Sequence, residues 1–343
     1  MGRAAPSATD TMDLQAAKTL VRAHHAALAE ATPATVEAAL SRHTAPNWHW
    51  RGMHPWHELT GAAAVAQAFW APVLADFTRL QRREDIFFAG ANGIDDGASV
   101  WVVSMGHLMG LFDGPWLGLR PTGRIAMLRY AEFHRVSEGQ IVETAQFLDL
   151  LHLLRQVGQY PLGPQTGAHL IQPGPATHDG LLYAPQDPGE GRTTLALIER
   201  MIASIGAAAA YASPQQELAE TWADDMIWWG PEGIGATYTI ERYIAQHQRP
   251  FRRQAGPRRF NGHIARLAEG NFGGFFGWPN LTMTPVGGFL GMTGTGTAQA
   301  DLRVVDLYRR AGDRLVENWV FIDMLHFLNM QGLDVLARLR ETA

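Results

Sequence analysis

One stretch of the sequence occurs twice: residues 123–158 read GRIAMLRYAEFHRVSEGQIVETAQFLDLLHLLRQVG, and residues 297–332 read TAQADLRVVDLYRRAGDRLVENWVFIDMLHFLNMQG. The two stretches align without a gap at a constant difference of 174 in residue number. Identical pairs include Leu128 and Leu302, Arg129 and Arg303, Arg135 and Arg309, Glu143 and Glu317, Phe147 and Phe321, Asp149 and Asp323, and His152 and His326. This agreement predicts that the chain contains one unit twice.

The duplication extends to the beginning of each half. Trp50 corresponds to Trp229 and Thr60 to Thr239 at a difference of 179, and Thr32-Pro33 to Ser213-Pro214 at 181. Between the halves, residues 160–193 contain six prolines and six glycines, a composition typical of linkers. We therefore predict a first unit at 12–159, a linker at 160–193 and a second unit at 194–343.

Each unit is expected to begin with helices and end with strands. Apolar residues recur at helical spacing from Leu14 to Leu28 and again over 194–211, and another helix should follow Thr60 and Thr239. Thr32-Pro33 and Ser213-Pro214 both have the form of an N-cap followed by proline. The predicted strands are 99–105, 125–136 and 141–148, then 272–283, 298–310 and 315–322. Helices followed by a meander of antiparallel strands predict the α+β class.

The composition of the 343 residues excludes several kinds of chemistry. There is no cysteine, so disulfides, thiolate metal sites and a cysteine nucleophile are excluded. Lys18 is the only lysine, and the net charge of −5 includes no basic block, which argues against nucleic acid as a partner. No apolar run of about 18 residues exists, so no membrane span is expected. The absence of cysteine fits a cytoplasmic location.

Aromatic residues and histidines are frequent, with 11 Trp, 15 Phe and 14 His. Residues 48–57 read WHWRGMHPWH, so His49, Trp50 and Trp56 lie in one short segment, and Trp229 lies in the matching segment of the second unit. We predict an aromatic pocket wall with polar groups here, and an aromatic core cluster is the alternative. The spacing of these histidines matches no common zinc pattern, so no metal site is expected.

The ends of both units resemble the SnoaL-like polyketide cyclases of the nuclear transport factor 2-like superfamily. The ending of that family has the form G-x-I-V-E-x-W-x-x-x-D, followed by a helix that ends in Q-x-G. The matching residues are Gly139, Ile141, Val142, Glu143, Asp149, Gln156 and Gly158 in the first unit, and Leu315, Val316, Glu317, Trp319, Asp323, Gln331 and Gly332 in the second.

Two departures separate the units from each other and from the family pattern. The first unit carries a G-x-x-P-T-G-R run at 118–124, where the second has Gly294-Thr295-Gly296-Thr297, and it has Ala145 in place of the family tryptophan. The first unit also has Gly106-His107, similar to a strand histidine of the family, and the second unit has Leu281 opposite His107. Either one unit is expected to be catalytic and the other structural, or the cavities of the two units are expected to have diverged.

The resemblance implies two tandem cone-shaped α+β barrel units related by a pseudo-two-fold axis. They would complete within one chain the dimer that family members form, and a further homodimer stays open. The resemblance also assigns the general acid/base role to Asp149 and Asp323, with His107 polarising a carbonyl. Burial in an apolar pocket raises a carboxyl pKa towards neutrality, as cofactor-free aldol cyclisation or isomerisation of a small, hydrophobic, carbonyl-rich molecule requires.

Other residues are expected to contact that molecule. Phe147 shares a strand face with Asp149, and Phe321 and Trp319 share one with Asp323. His326 follows Asp323 by three residues, and Arg129 and Arg303 recur in mid-strand, as do Glu132 and Asp306. The predicted substrate contacts are His49, Trp50, Trp56, Arg129, Phe147, Trp229, Arg303, Trp319, Phe321 and His326.

Three alternatives remain at this point. Each aspartate is also a favoured N-cap for the helix after it, and the arginines are also suited to ion pairs between the two units. A carboxylate next to a strand arginine resembles the limonene epoxide hydrolases of the same superfamily, which activate water. A ligand-binding protein without catalysis is favoured if both aspartates bond to backbone N–H groups and the pocket is filled.

Overall fold

The computed structural model describes residues 14–286 and 297–341, which form two units of the same architecture. The predicted outer bounds of the two units, residues 12 and 343, lie outside these residues. So do residues 294–296 of the Gly-Thr run. In each unit, helices cover one face of a mixed sheet, which confirms the predicted α+β class. No helix among the described residues is both long and apolar enough to cross a membrane.

The first unit contains a six-stranded sheet. Its strands are β1 (Thr44–Gly52), β2 (Glu58–Thr60), β3 (Phe77–Ala91), β4 (Val100–Phe112), β5 (Ile125–Ser137) and β6 (Gln140–Leu148). Its helices are α1 (Leu14–Ala29), α2 (Val36–Ser41), α3 (Ala62–Val65), α4 (Ala71–Asp76) and α5 (Leu150–Gln156). The strand order is β2-β1-β6-β5-β4-β3, and only the β1–β6 pair is parallel.

The second unit repeats this order in a seven-stranded sheet. Its strands are β7 (Trp222–Trp229), β8 (Thr237–Tyr238), β9 (Arg258–Phe260), β10 (Ala265–Glu269), β11 (Phe272–Met283), β12 (Ala300–Ala311) and β13 (Arg314–Ile322). Its helices are α6 (Pro188–Gly206), α7 (Pro214–Ala219), α8 (Thr239–Tyr243), α9 (Arg249–Gln254), α10 (Met324–Met330) and α11 (Val335–Glu341). The path is β10-β11-β12-β13-β7-β8, with β9 added to β11.

The two units also share an irregular helix. A π-helical turn at Ala66–Trp70 joins α3 to α4, and another at Ile244–Gln248 joins α8 to α9. These turns lie 178 residues apart, which places Trp50 opposite Trp228 instead of the predicted Trp229. Strand register agrees, because Trp50 pairs with Thr144 and Trp228 with Asn318.

Most of the predicted elements are present, and one of the two predicted caps is found. Ser213 accepts a hydrogen bond from the backbone N–H of Gln216 and caps α7, as predicted. Thr32 does not cap a helix, because α2 begins at Val36, preceded by a turn in which Thr35 Oγ1 accepts from the Thr32 N–H. The long strand β3 had no sequence prediction. Its charged Arg82 and Glu84 face an interior that is itself polar, so the usual apolar alternation is missing.

Each sheet has an inner face, covered by the helices of its own unit, and an outer face, turned towards the other unit. On β5, the His134 ring lies 5.9 Å from the His24 ring of α1, which places it on the inner face. The adjacent Phe133 ring lies 5.0 Å from Phe276 of β11, which places it on the outer face. The two outer faces therefore pack together as one apolar core.

The Pro/Gly-rich segment is ordered against the first unit. Its residues Gly180 and Leu182 exchange backbone hydrogen bonds with Phe87 of β3, at 2.8 Å each. The Trp319 indole N–H donates to the carbonyl of Pro173 at 3.0 Å, which ties the segment to the second unit as well. Helix α6 begins at Pro188, six residues before the predicted end of the linker.

Candidate functional site

Asp149, the first predicted general acid/base, lies at the contact between the two units. It caps α5, because its Oδ1 accepts a hydrogen bond from the backbone N–H of His152 at 3.1 Å. Its Oδ2 accepts another from the backbone N–H of Glu232, in the second unit, at 2.9 Å. The same oxygen lies 3.7 Å from the guanidinium of Arg129. Both carboxylate oxygens are thus occupied.

Asp323 has the same arrangement with the units exchanged. Its Oδ1 accepts from the backbone N–H of His326 at 3.2 Å, and its Oδ2 accepts from the backbone N–H of His54, in the first unit, at 3.0 Å. Arg303 donates to the same Oδ2 at 3.2 Å. Burial raises the pKa of Asp323 to about 6, although Arg303 and the two N–H groups oppose the rise.

The two aspartates therefore form a matched pair of contacts between the units. Glu232 and His54 occupy equivalent positions, 178 residues apart, as a two-fold relation requires. The space lined by Asp149 and Asp323 measures about 10 Å³, no more than a single water needs. Capping and unit contact account for both carboxylates, and their catalytic role remains a prediction that this geometry does not support.

The residues predicted to surround the aspartates lie on the outer faces. The Phe147 ring packs 5.6 Å from the ring of Trp278, and Arg129 lies 4.0 Å above the ring of Phe321. The residues with this location are Arg129, Phe147, Arg303, Trp319 and Phe321. The shared strand face was predicted correctly, but it faces the other unit. These side chains form the core between the units. Each arginine, however, is paired with the aspartate of its own unit and not with an acid of the other unit, as the ion-pair alternative had it.

The predicted histidine contacts are at the same junction. His107 pairs with Arg129 across β4 and β5, and its Nδ1 lies 3.5 Å from Asp85. The His326 ring packs against His57 at 5.5 Å. Burial lowers the pKa of His326 to about 3, an effect that the charge of Arg303 increases, so its imidazole is neutral at pH 7.

The aromatic segment 48–57 is divided between several environments. Trp50 lies on the inner face and donates to Gln146 at 3.2 Å. Trp56 stacks on Trp116 with ring centroids 5.7 Å apart, and His49 pairs with Glu58 at 3.0 Å near the surface. Trp229 supplies a backbone carbonyl to Arg129 at 3.3 Å. The aromatic core cluster is therefore the arrangement found here, and the segment does not form one pocket wall.

The inner face of the first unit is closed by a charged network. Arg82 donates to both oxygens of Glu132, at 2.6 and 3.2 Å. His25 lies between two carboxylates, 3.0 Å from Glu84 and 3.2 Å from Glu132. Glu132 is only 2% exposed. Burial alone would raise its pKa, but the charge of Arg82 and the nearby imidazoles of His134 and His25 hold the pKa well below the ordinary value.

The inner face of the second unit carries a different acid at the equivalent place. Asp306, opposite Glu132 in the repeat, accepts a hydrogen bond from the side-chain amide of Asn318 at 3.2 Å. It has no ion-pair partner among residues 14–286 and 297–341. Burial raises the pKa of Asp306 to about 6, while Asn318 and Tyr308 partly offset the rise by hydrogen bonding to the carboxylate.

Aromatic rings surround this carboxylate. Phe275 lies directly across the strand pair from Asp306, and the imidazole of His263 stacks on Phe275 at 3.9 Å. His247 stacks on Trp228, also at 3.9 Å, and burial lowers the pKa of His247 to about 3. Both walls are thus planar and uncharged at neutral pH.

At several equivalent positions, the inner face of the second unit is more exposed to solvent than that of the first. Helix residues Val65 and Phe69 are fully buried, whereas Tyr243 and His247, at the equivalent places 178 residues on, are partly exposed. The same contrast holds between Glu132 and Asp306. Further partly exposed residues on this side are Phe251, Val304 and Ile322. We therefore regard the inner face of the second unit as the candidate site.

The sequence contained a partial signal for this site. Glu132 and Asp306 stand out as mid-strand acids in the repeat, but nothing in the spacing says which face is accessible. The predicted match of Leu281 with His107 was also wrong by one residue. Leu108 pairs with Leu128, and Leu281 with Leu302, so Leu281 corresponds to Leu108 and the residue opposite His107 is Asn280. An irregularity of β11 between Gly277 and Leu281 causes the shift.

Within the part of the chain that the structure describes, two groups of side chains have ligand atoms close enough to hold a metal ion, and neither involves the histidines of segment 48–57. The first is His25, Glu132 and His134, and the second is His152, His169 and Glu232. In the second group, both ring nitrogens of His152 already have partners, the carbonyl of Leu170 and the amide of Gln156. Only the first group therefore has free imidazole nitrogens on both of its histidines.

One further groove lies outside both inner faces. It has a volume of about 290 Å³ and lies between the start of α1, the start of β4 and the β5–β6 turn. Its lining is mostly small, and its charged residues are Arg135 and Glu138. Arg135 is already paired with Glu143 at 3.1 Å, so the groove offers little acid/base chemistry.

Comparison with known proteins assigns the first unit to a family. Residues 18–157 match the family model described as SnoaL-like polyketide cyclase. No curated protein matches the sequence. A structure named as a SnoaL-like polyketide cyclase, from Jannaschia sp. CCS1, is 21% identical over 48% of this chain and 100% of its own, with a TM-score of 0.34.

Two other solved structures are similar over comparable lengths. A nuclear transport factor 2-like protein of Burkholderia xenovorans LB400 is 13% identical over 41% of this chain and 97% of its own, with a TM-score of 0.32. A protein of Catenulispora acidiphila DSM 44928 with a ketosteroid isomerase-like fold is 20% identical over 42% and 97%, with a TM-score of 0.31. Residues 18–157 thus match the SnoaL-like polyketide cyclase family model, and the second unit repeats the strand order of the first.

Proposed function

We propose that the second unit binds a small hydrophobic molecule with a carbonyl group and that Asp306 is its general acid/base. The reaction type is proton transfer at a carbon next to the carbonyl, as in isomerisation or aldol cyclisation. The observation that carries this proposal is the environment of Asp306: a partly exposed carboxylate on the inner face, without a basic partner among the described residues, whose pKa is raised to about 6.

A pKa near the working pH suits a group that must both accept and release a proton. At pH 7 most Asp306 side chains are ionised and can take a proton from an activated carbon. The protonated carboxyl can then return it to another atom of the molecule. Asn318 already donates to this carboxylate, which holds it in one orientation on the strand.

The aromatic surroundings fit a flat, apolar molecule. Stacked pairs at 3.9 Å, His247 on Trp228 and His263 on Phe275, offer uncharged planar surfaces. The hydroxyl of Tyr243 lies on the same side, and burial and the charges of Asp306 and Glu217 raise the pKa of Tyr243. It therefore stays protonated at neutral pH and is available to donate a hydrogen bond to a carbonyl oxygen.

The alternatives receive less support from this arrangement. The epoxide hydrolase arrangement needs an arginine with two acids around one water, and Asp306 has no arginine partner within the described residues. Ligand binding without catalysis would use the same inner face, and it is distinguished from catalysis by activity alone. Catalysis by Asp149 or Asp323 requires an opening at the contact between the units.

Exchange of carbon-bound protons with D₂O tests the proposal without knowledge of the natural substrate. Aromatic ketones such as 1-tetralone, whose α-protons exchange slowly alone, are incubated with the protein and followed by mass spectrometry. We expect catalysed exchange with the wild type and a loss of about 10²–10⁴-fold in Asp306→Asn. Asp313→Asn, the same change at an exposed turn of the same hairpin, should exchange at the wild-type rate.

Two results would redirect the assignment. If Asp149→Asn or Asp323→Asn loses exchange while Asp306→Asn keeps it, the base is at the contact between the units. If the ketones bind, as shown by quenching of tryptophan fluorescence, but no variant or wild type accelerates exchange, the second unit is a binding module.

A further inference from the structure

Three potential metal ligands converge on the inner face of the first unit. The Nε2 atom of His25 lies 3.2 Å from Oε2 of Glu132, and the Nε2 atom of His134 lies 3.5 Å from the same oxygen. Two ligand atoms that share an ion at about 2.1 Å are about 3.0–3.4 Å apart at octahedral or tetrahedral angles. The separation of 3.2 Å lies within this range, and that of 3.5 Å lies just above it.

In both imidazoles, a contact at the other ring nitrogen, Nδ1, fixes the orientation of the ring. Nδ1 of His25 is bonded to the carboxylate of Glu84 at 3.0 Å, and Nδ1 of His134 to the hydroxyl of Thr144 at 2.9 Å. Metal-binding histidines commonly have this support, because a bond at one ring nitrogen fixes the ring and presents the other to the ion. The supporting residues here come from β3 and β6, which flank the sheet positions of the ligands.

The converging nitrogens have no hydrogen bond of their own. Nε2 of His25 and Nε2 of His134 are both buried, and neither makes a hydrogen bond of acceptable geometry, although both lie near Glu132. Burial of a polar atom without a hydrogen-bond partner costs free energy, so these two nitrogens require an explanation.

We infer that the first unit binds one divalent transition-metal ion through Nε2 of His25, Nε2 of His134 and a carboxylate oxygen of Glu132. Two imidazoles and one carboxylate suit Zn²⁺ and Fe²⁺. Arg82 keeps its contact with the carboxylate, since the two oxygens accept about four bonds. All three ligands are buried, so the ion joins α1 to β5 and takes no substrate.

This site is independent of the proposed function, which concerns the other unit. In the second unit, Asp306 and Tyr308 occupy the positions of Glu132 and His134, so that unit lacks the histidine ligand of β5. The two proposals can therefore fail separately. Loss of the metal lowers stability of the first unit, whereas loss of Asp306 removes proton exchange.

Metal content of the whole chain provides the first test. The protein is purified without chelators or a histidine tag, and zinc and iron are measured by plasma mass spectrometry, which distinguishes the two ions. We expect about one equivalent of one of them. The stripped protein should then take up one Co²⁺ with visible absorption bands of nitrogen and oxygen coordination, and added Zn²⁺ should raise its melting temperature.

Matched substitutions decide whether the ion occupies this site. His134→Asn should lose the bound equivalent and the Co²⁺ bands, whereas His49→Asn, which changes a partly exposed histidine paired with Glu58, should keep both. Thr144→Ser retains a hydroxyl for His134 and should also keep the ion. Circular dichroism at 20 °C checks that each variant is folded.

Three outcomes would overturn the inference. The first is that the stripped wild type takes up neither Co²⁺ nor Zn²⁺. The second is that a folded His134→Asn variant retains a full equivalent of metal with unchanged Co²⁺ absorption bands. The third is imidazole NMR showing a protonated His25 that bridges Glu84 and Glu132 in protein saturated with Zn²⁺, because a proton would then occupy the place of the ion.

Discussion

Replacement of Asp306 by asparagine should make the protein more stable at pH 8 and leave its stability almost unchanged near pH 4. The pKa of this carboxyl is raised from 3.8 to about 6 because burial penalises the charged form. A group whose pKa rises on folding favours the folded state when protonated. That stability is present below the unfolded pKa and is lost as the pH rises through the folded pKa.

The size of the effect follows from the shift. A rise of this size corresponds to about 3 kcal/mol at most, since one pKa unit is about 1.4 kcal/mol. Asp306 is partly exposed, so water reduces the penalty, and we expect Asp306→Asn to gain about 1–3 kcal/mol at pH 8. The amide of asparagine retains one acceptor for Asn318, so the variant removes the charge with little change in packing.

Urea unfolding at pH 4, 6 and 8 measures this difference, with Asp313→Asn as the exposed control. Asp323 titrates over a similar range, but it is present in both proteins and cancels from the difference. A variant that gains equally at all three pH values would show that packing, and not charge, is responsible. A variant that loses stability at pH 8 would refute the raised pKa, and with it the physical basis for a general base at this position.

Three further substitutions test the structural assignments, each followed by urea unfolding at pH 7. Glu132→Gln should lose about 3–5 kcal/mol, the opposite sign to Asp306→Asn, because it leaves the buried Arg82 without its carboxylate; a gain in stability would show that the network is not ionic. Asp149→Ala should lose a similar amount through the buried Arg129 and the α5 cap, and a loss under 1 kcal/mol would argue against the contact between units. Phe276→Ala should lose about 3–5 kcal/mol and broaden the transition, since its ring joins the outer faces of both sheets.

The repeat made the fold predictable from the sequence, because helices, strands and the gap-free alignment at 123–158 and 297–332 agreed in both halves. The strand faces were also predictable, since side chains alternate along a strand. This alternation does not show which element, or which ligand, packs against each face. Phe147 and Asp149 share a face, as predicted, but that face is covered by a second sheet instead of a ligand.

Burial explains why β3 and the charged network escaped the sequence analysis. Residues 82–85 of β3 read RRED, a pattern that usually indicates exposure. Arg82 and Glu84 are nevertheless directed inward, where Glu132, Ser104 and His25 neutralise or bond to them. Each of these partners comes from a different element, so no local pattern contains the information. The same reasoning applies to the converging nitrogens of His25 and His134, which are 109 positions apart.

The duplication helps to distinguish residues at the contact between the units from residues proposed to act on a ligand. The identical pairs Asp149 with Asp323 and Arg129 with Arg303 lie on the outer faces, where both units make the same contact. The acids Glu132 and Asp306, which differ between the copies, lie on the inner faces. The identity of the two outer-face aspartates therefore reflects the contact that both units share. Because the two inner faces carry different acids in different surroundings, we expect the chemistry of this chain on the inner faces.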